Sequence, residues 1–179
     1  MKTRFMRIFI LTLISIITLS CGSTIVDYDY DKNVDFSDYT TYQFDLKEPT
    51  GLSEFDERRM VSSIDSILQQ RGYVRTEKCD FYITLSADEY ESQSRNTIGV
   101  GIGGGGGNVG VGVSGGIPIG GRELHQVITT TFYKADEGYP TFWEATSESD
   151  LKVNAKPEAR DVHYTKLATK ILSKYPPKK

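Results

Sequence analysis

The chain holds two histidines, His125 and His163, 38 positions apart. Neither sits in a His-Glu-x-x-His zinc pair, and there is no Cys-x-x-Cys and no Gly-x-Ser-x-Gly. A Ser/His/Asp site draws its members from distant positions, so spacing leaves that chemistry open without marking any serine. Trp143 beside Glu144 has the makings of a sugar-stacking aromatic next to a carboxylate. Glycoside hydrolysis needs two placed carboxylates, however, and a strand Trp more often packs into a core. Asp27, Asp29 and Asp31 repeat at spacing two. An EF-hand loop requires a Gly and a distal Glu, whereas here tyrosines alternate with the acids, as in a half-buried strand with a wet acidic face. Gly99, Gly101 and Gly104 spell GxGxxG, yet more Gly and Val follow instead of a helix to hold a pyrophosphate. No Gly-Lys-Ser/Thr ending exists, which excludes a P-loop. Cys79 reads as a buried free thiol acting as a small hydrophobe. The sequence thus marks no catalytic residue, no metal site and no cofactor.

One residue does carry a chemical signature. Lys2, Arg4 and Arg7 precede a run from Ile8 to Leu19 in which Thr12, Ser15 and Thr18 are the residues that are not strongly apolar. A membrane-spanning helix needs ~20 apolar residues, so this run suits a signal core better than a permanent anchor. It ends in Thr18-Leu19-Ser20-Cys21-Gly22. A small residue followed by Cys resembles the bacterial lipobox, where the thiol becomes a diacylglyceryl thioether and the chain is cut before Cys. The usual Leu three residues before Cys is replaced here by Thr18. Each buried methylene contributes ~0.8 kcal/mol, so two or three acyl chains hold a protein stably at a bilayer. We therefore read residues 1–20 as a lipoprotein signal peptide, Cys21 as the acylated residue with 21–24 as a short tether, and 25–179 as one domain. Gly22, instead of Asp, points to the outer membrane of a bacterium, and the lack of an acidic cluster after Cys21 to its periplasmic side.

The whole chain has 21 basic and 24 acidic residues. Losing the three leader cations leaves 18 against 24, a net charge of −6, which argues against nucleic acid as a partner. A quarter of the residues are charged and 38% are apolar, as in a soluble globular body.

The mature chain alternates strand and helix patterns. Ile25–Asp31 and Thr40–Leu46 read as strands. Ser53 and Asp56 open a helix whose core stripe is Met60, Val61, Ile64, Ile67 and Leu68, closed by Gly72. In Cys79–Tyr90, Phe81, Ile83, Leu85 and Ala87 share one face. Glu123–Lys134 is a long strand, and Thr141–Thr146 returns after a turn at Gly138 and Pro140. Pro157 suits a helix start, and Tyr164, Leu167, Ala168, Ile171, Leu172 and Tyr175 follow helical spacing. The expected fold is α+β: a two-layer sandwich, a mainly antiparallel sheet covered on one face by two amphipathic helices, with a Gly-rich insertion.

That insertion, residues 99–121, holds 13 of the 17 glycines, and no charge occurs from Ile98 to Gly121. Ile98, Val100 and Ile102, then Val109, Val111 and Val113, alternate with Gly. Two readings stand: a flexible low-complexity loop, or a hairpin that pairs with another chain or touches lipid. On the second, these six residues are the contact with another envelope protein or with a second copy.

In order along the chain, Val26-Asp-Tyr-Asp-Tyr30, Asp35-Phe-Ser-Asp-Tyr-Thr-Thr-Tyr42, Arg71-Gly-Tyr73, Cys79-Asp-Phe-Tyr-Ile-Thr84, the Gly-rich insert, Phe142-Trp143 and Lys174-Tyr-Pro-Pro177 resemble the bacterial lipoprotein family catalogued as domain of unknown function 4136. The resemblance implies an α+β fold and a place in the cell envelope. It supplies no activity and no catalytic residues. The expected role is a lipid-anchored, non-enzymatic binding or structural module. The alternatives are a hydrolase acting on cell-wall or lipid material, and a protein that self-assembles through the Gly-rich hairpin.

Overall fold

A computed structural model describes residues 24–93, 97–99, 116–118, 121–136 and 138–178, with backbone alone for 93, 97–99 and 116–118. The leader, Cys21, Val100, Ile102, Val109, Val111 and Val113 lie outside the described residues.

The elements are β1 (Ile25–Tyr30), β2 (Thr41–Phe44), α1 (Glu54–Gln70), β3 (Val74–Arg75), β4 (Phe81–Gln93), β5 (Thr97–Gly99), β6 (Gly116–Pro118), β7 (Arg122–Lys134), β8 (Thr141–Lys152) and α2 (Pro157–Leu172). Six strands form one open sheet in the order β1-β8-β7-β4-β2-β3. The pairs β1/β8, β8/β7 and β7/β4 are antiparallel, whereas β2 runs parallel to both β4 and β3. β5 and β6 pair separately, Ile98 opposite Ile117.

Both helices lie on one face, where the strands send their apolar residues. Ser53 caps α1 by accepting the Asp56 N–H at 3.3 Å, and Met60, Ile64 and Leu68 are its buried stripe. Gly72 ends it with φ +90°. α2 starts at Pro157 and buries Tyr164, Leu167, Ala168, Ile171 and Leu172. Beyond it, Tyr175 is 2% exposed, its ring 4.8 Å from Phe132 and 5.3 Å from Trp143. Arg71 donates to the carbonyls of Leu172 and Tyr175, both at 2.7 Å, and ties the two helix ends together.

Phe142 and Trp143 are adjacent in sequence and both buried. Strict alternation would turn one of them to water. The β7/β8 register slips at Phe132/Tyr133, where Phe132 faces Trp143 but Tyr133 faces Thr141, so Phe142 is the extra residue of a bulge.

The parallel start of β2 against β4 is fixed by Asp80. Its carboxylate accepts the N–H of Thr40 at 2.9 Å and of Thr41 at 2.8 Å, and its own N–H donates to Thr41 Oγ1 at 2.9 Å. Burial acts to raise the Asp80 pKa, but hydrogen bonds to its carboxylate from the backbone and side chains of Thr40 and Thr41 outweigh it and hold the carboxyl below its usual range. At Gly51 (φ +85°) the chain crosses β4 so closely that a Cβ would lie 2.0 Å from the Ala87 carbonyl oxygen. Cys79 is free and half-buried, more open to water than the sequence suggests, because it precedes the strand instead of lying within it.

Candidate functional site

The sheet separates the two histidines. His125 is on the face opposite the helices, its Nδ1 2.7 Å from Asp150 Oδ1 and its ring 4.8 Å from that of Tyr90. His163, on α2, meets the helix-covered face, its Nε2 3.0 Å from Gln126 Oε1 and 3.4 Å from Ser149 Oγ.

The Ser149–His163 pair is the arrangement a hydrolase would need, and its neighbours decide its chemistry. The Gln126 amide nitrogen donates to the Glu89 carboxylate and, at 2.7 Å, to the Tyr164 hydroxyl. Turned round, the amide would set an oxygen against the Glu89 carboxylate. Its orientation therefore aims Oε1 at His163, and His163 Nε2 is the donor of that bond. A nitrogen that carries a proton cannot take one from Ser149. Burial also pushes the His163 pKa down, so the ring is a neutral link in a core hydrogen-bond chain.

Beside that chain, a hollow of about 470 Å³ lies between the N-terminal ends of the helices, bordered by Asp56, Arg59, Glu89, Leu124 and Arg160. Asp56 is 3% exposed and bridges Arg59 Nη1 at 3.0 Å and Arg160 Nη1 at 2.5 Å. Arg160 also donates to the Val153 carbonyl at 3.2 Å, and Ser53 Oγ to Asp56 at 2.9 Å. These charges satisfy one another and hold α1 to α2. The sequence shows Asp56 as a complement to the helix dipole; its partner Arg160 is 104 residues away and visible only in the fold.

The open face differs. It carries Thr84, Thr129, Thr131 and Thr146 at its centre and the carboxylates of Asp27, Asp29, Asp88, Glu144, Glu148 and Asp150 around them, placed there by register. At one end Tyr82, Tyr133 and Tyr139 line a pocket of about 340 Å³ with Asp45 and Lys47. The Tyr133 hydroxyl donates to Asp45 Oδ2 at 2.9 Å, and burial and this carboxylate raise its pKa. Lys47 lies 3.5 Å from the same carboxylate. Tyr139 is 59% exposed and has φ +46°, a conformation that costs a bulky L-residue ~1–3 kcal/mol. Alternation with the core residues of β4 marks Tyr82 in the sequence; the signal for Tyr139 is an aromatic between Gly138 and Pro140 at a turn tip, which no periodic pattern includes.

The sequence-derived candidates do not converge on these places. Trp143 is fully buried as a core residue, and Glu144 points to the open face, bonded by Thr131 at 3.0 Å. Of the six expected contact residues, Ile98 alone falls on described backbone, and Cys21 lies outside the described residues. Among the described residues no three His, Cys, Asp or Glu side chains gather as metal ligands.

The fold resembles that of a protein of known structure. A PDZ domain protein from Parabacteroides distasonis matches with a TM-score of 0.51 and 14% identity over 92% of this chain, which spans 39% of that protein's length. A DUF4136 family protein from Bacteroides thetaiotaomicron matches at 0.49 and 16% identity, over 87% of this chain and 97% of that one. The PelC dodecamer from Paraburkholderia phytofirmans gives 0.44 and 12%, over 84% and 96%. No curated protein matches. The pattern of one family, described as a domain of unknown function (DUF4136), covers residues 26–177, and the chain belongs to that family.

Proposed function

We propose that the protein is a lipid-anchored component of the bacterial cell envelope that binds another envelope constituent and catalyses no reaction. Acyl chains on Cys21 hold it at the periplasmic side of the outer membrane. The observation that carries this reading is the sequence Ser20-Cys21-Gly22 at the end of a short apolar leader, four residues before the domain starts at Ile25. A tether of that length keeps β1, an edge of the sheet, beside the bilayer. The described part of the tether is held on the body: the Thr24 carbonyl accepts a bond from Lys170 of α2. Among the described residues no helix is long and apolar enough to cross a membrane.

The non-enzymatic reading is supported by the protonation of His163 Nε2, which leaves Ser149 without a base. The partner is another envelope protein, met through the Gly-rich tract and its sheet edge, the tract being rooted where the two longest strands, β4 and β7, end and begin. Deleting residues 99–121 is expected to remove partner cross-links.

Envelope fractionation with intact mass measurement of the wild type and Cys21→Ala tests the anchor. The wild type is expected in the membrane fraction, its mature N-terminal Cys carrying acyl chains; Cys21→Ala is expected to lose both. A soluble, unacylated wild type would end this reading.

A further inference from the structure

The pocket at the end of the open face is built unlike the rest of that face. Its rings are in mutual contact: Tyr82 to Tyr133 at 5.8 Å, Tyr133 to Tyr139 at 5.9 Å and Tyr82 to Tyr139 at 6.1 Å between centroids. Tyr133 is tilted 32° from Tyr82 and Tyr139 stands edge-on to Tyr133 at 87°, so the three rings form an apolar corner of two tilted faces and a wall. Asp45 and Lys47 stand at its rim as an acceptor and a donor. Tyr139 is presented on a strained turn, its N–H bonded to the Asp136 carbonyl at 3.2 Å, and stays largely open to water. Core packing does not explain a strained, exposed aromatic.

Ligand classes can be weighed against this geometry. An ammonium caged by aromatic faces sits within ~6 Å of every centroid. Rings that touch one another leave no gap for it between them, and Lys47, 3.5 Å from Asp45, sets a like charge beside it. An anion would meet a carboxylate and the negative faces of the rings. A neutral sugar ring presents C–H groups on one side, which a tyrosine face of the corner covers, and hydroxyls at its edge, from which Asp45 accepts and to which Lys47 donates. The volume of about 340 Å³ lies at the small end of ligand sites, ~300–1,000 Å³.

We infer that the Tyr82–Tyr133–Tyr139 pocket is a glycan subsite that takes one neutral pyranose unit, seated in the corner of the tyrosine rings and hydrogen-bonded by Asp45 and Lys47. The inference rests on reading the chain as a binding module but not on its lipid anchor, so an unacylated protein leaves it standing.

The test is an NMR titration of the full-length protein in detergent micelles, labelled with ¹³C at the tyrosine ε carbons. The probes are cellotetraose, the N-acetylglucosamine tetramer and tetramethylammonium chloride. A saturable change in the Tyr82, Tyr133 and Tyr139 ring signals with at least one glycan is expected. Tyr139→Ala, exposed enough to leave the fold intact, is expected to weaken that binding about tenfold, the worth of one stacked ring. Three results overturn the inference: no saturable change with either glycan, saturation by tetramethylammonium alone, or glycan binding that Tyr139→Ala leaves unchanged.

Discussion

The two faces of the sheet are made by the same strands and have opposite characters. On the helix-covered face Phe81, Ile83, Ile128, Phe132 and Trp143 are all fully buried. On the other, the intervening residues are mostly threonines, acids and tyrosines, with Val127 among them. A sheet in water needs one buried face, and two helices supply its cover. The second face is free of that demand, so its composition reflects something besides folding. Threonines paired across strands, such as Thr129 and Thr146 with Oγ1 atoms 3.0 Å apart, keep it a stable β surface with little apolar area. The contrast separates side chains kept for packing from those available for contact.

Removing the central ring of the covered face should hurt most. Tyr175 touches Phe36, Tyr73, Phe81, Phe132 and Trp143. Tyr175→Ala is expected to cost about 3–5 kcal/mol, as large aromatic truncations in cores do. Thr84→Ala, on the open face, should stay within about 0.5 kcal/mol. Urea unfolding of both variants measures the difference, and equal losses would erase the distinction between the faces.

Much of the covered face was legible in the sequence because its signals are local. The Ser53 cap, the Gly72 stop, Pro157 and the helical stripes each lie within a few residues of what they specify. The alternation of Phe81, Ile83 and Leu85 likewise marks one face without reference to any partner. What was not legible depends on pairing between distant segments. β2 runs parallel to β4 because Asp80 holds Thr40 and Thr41, a contact 39–40 residues apart in sequence. The bulge at Phe142 exists only relative to the β7 register. The tyrosine pocket joins Asp45, at the exit of β2, to Tyr82 and Tyr133 on neighbouring strands, and no spacing rule connects them. The Gly-rich tract drew attention through composition, and composition carries no geometry.

A smaller effect sharpens the comparison at the polar end of the covered face. Burial keeps the His163 pKa below the ordinary 6.5, against the pull of Asp56 and Asp150 and with the help of Arg160 and Lys166. The unfolded chain therefore binds a proton at a higher pH than the folded one. The stability from neutral His163 is full above pH ~6.5 and declines as pH falls through that value toward the folded pKa, by at most ~1.4 kcal/mol per unit. Asp80, whose pKa is also lowered, acts in the same direction, but only as pH falls below its ordinary 3.8. His163→Gln should flatten the slope between pH 6.5 and 5. Urea midpoints at three pH values decide this, and parallel slopes in the two proteins would mean that His163 does not titrate between native and unfolded states.

A last, small change in stability has the most specific readout, and it concerns the edge where the open face ends. The outward N–H groups of Tyr28 and Tyr30 on β1 would template an incoming strand. Asp27 Oδ1 accepts the first at 3.0 Å and Asp29 Oδ1 the second at 2.8 Å. The period-two acids thus cover the donors that a second copy would need, beside the surface where a lipid tether would concentrate copies. Asp27→Ala with Asp29→Ala should shift stability by less than about 1 kcal/mol, yet produce concentration-dependent dimers in sedimentation velocity of the Cys21→Ala protein. Asp27→Asn with Asp29→Asn keeps the side-chain carbonyls and removes the charges. If the hydrogen bonds are what guard the edge, the Asn pair remains monomeric; if repulsion is, it dimerises like the Ala pair. An Ala pair as monomeric as the parent would show that β1 is closed to partners by something other than these carboxylates.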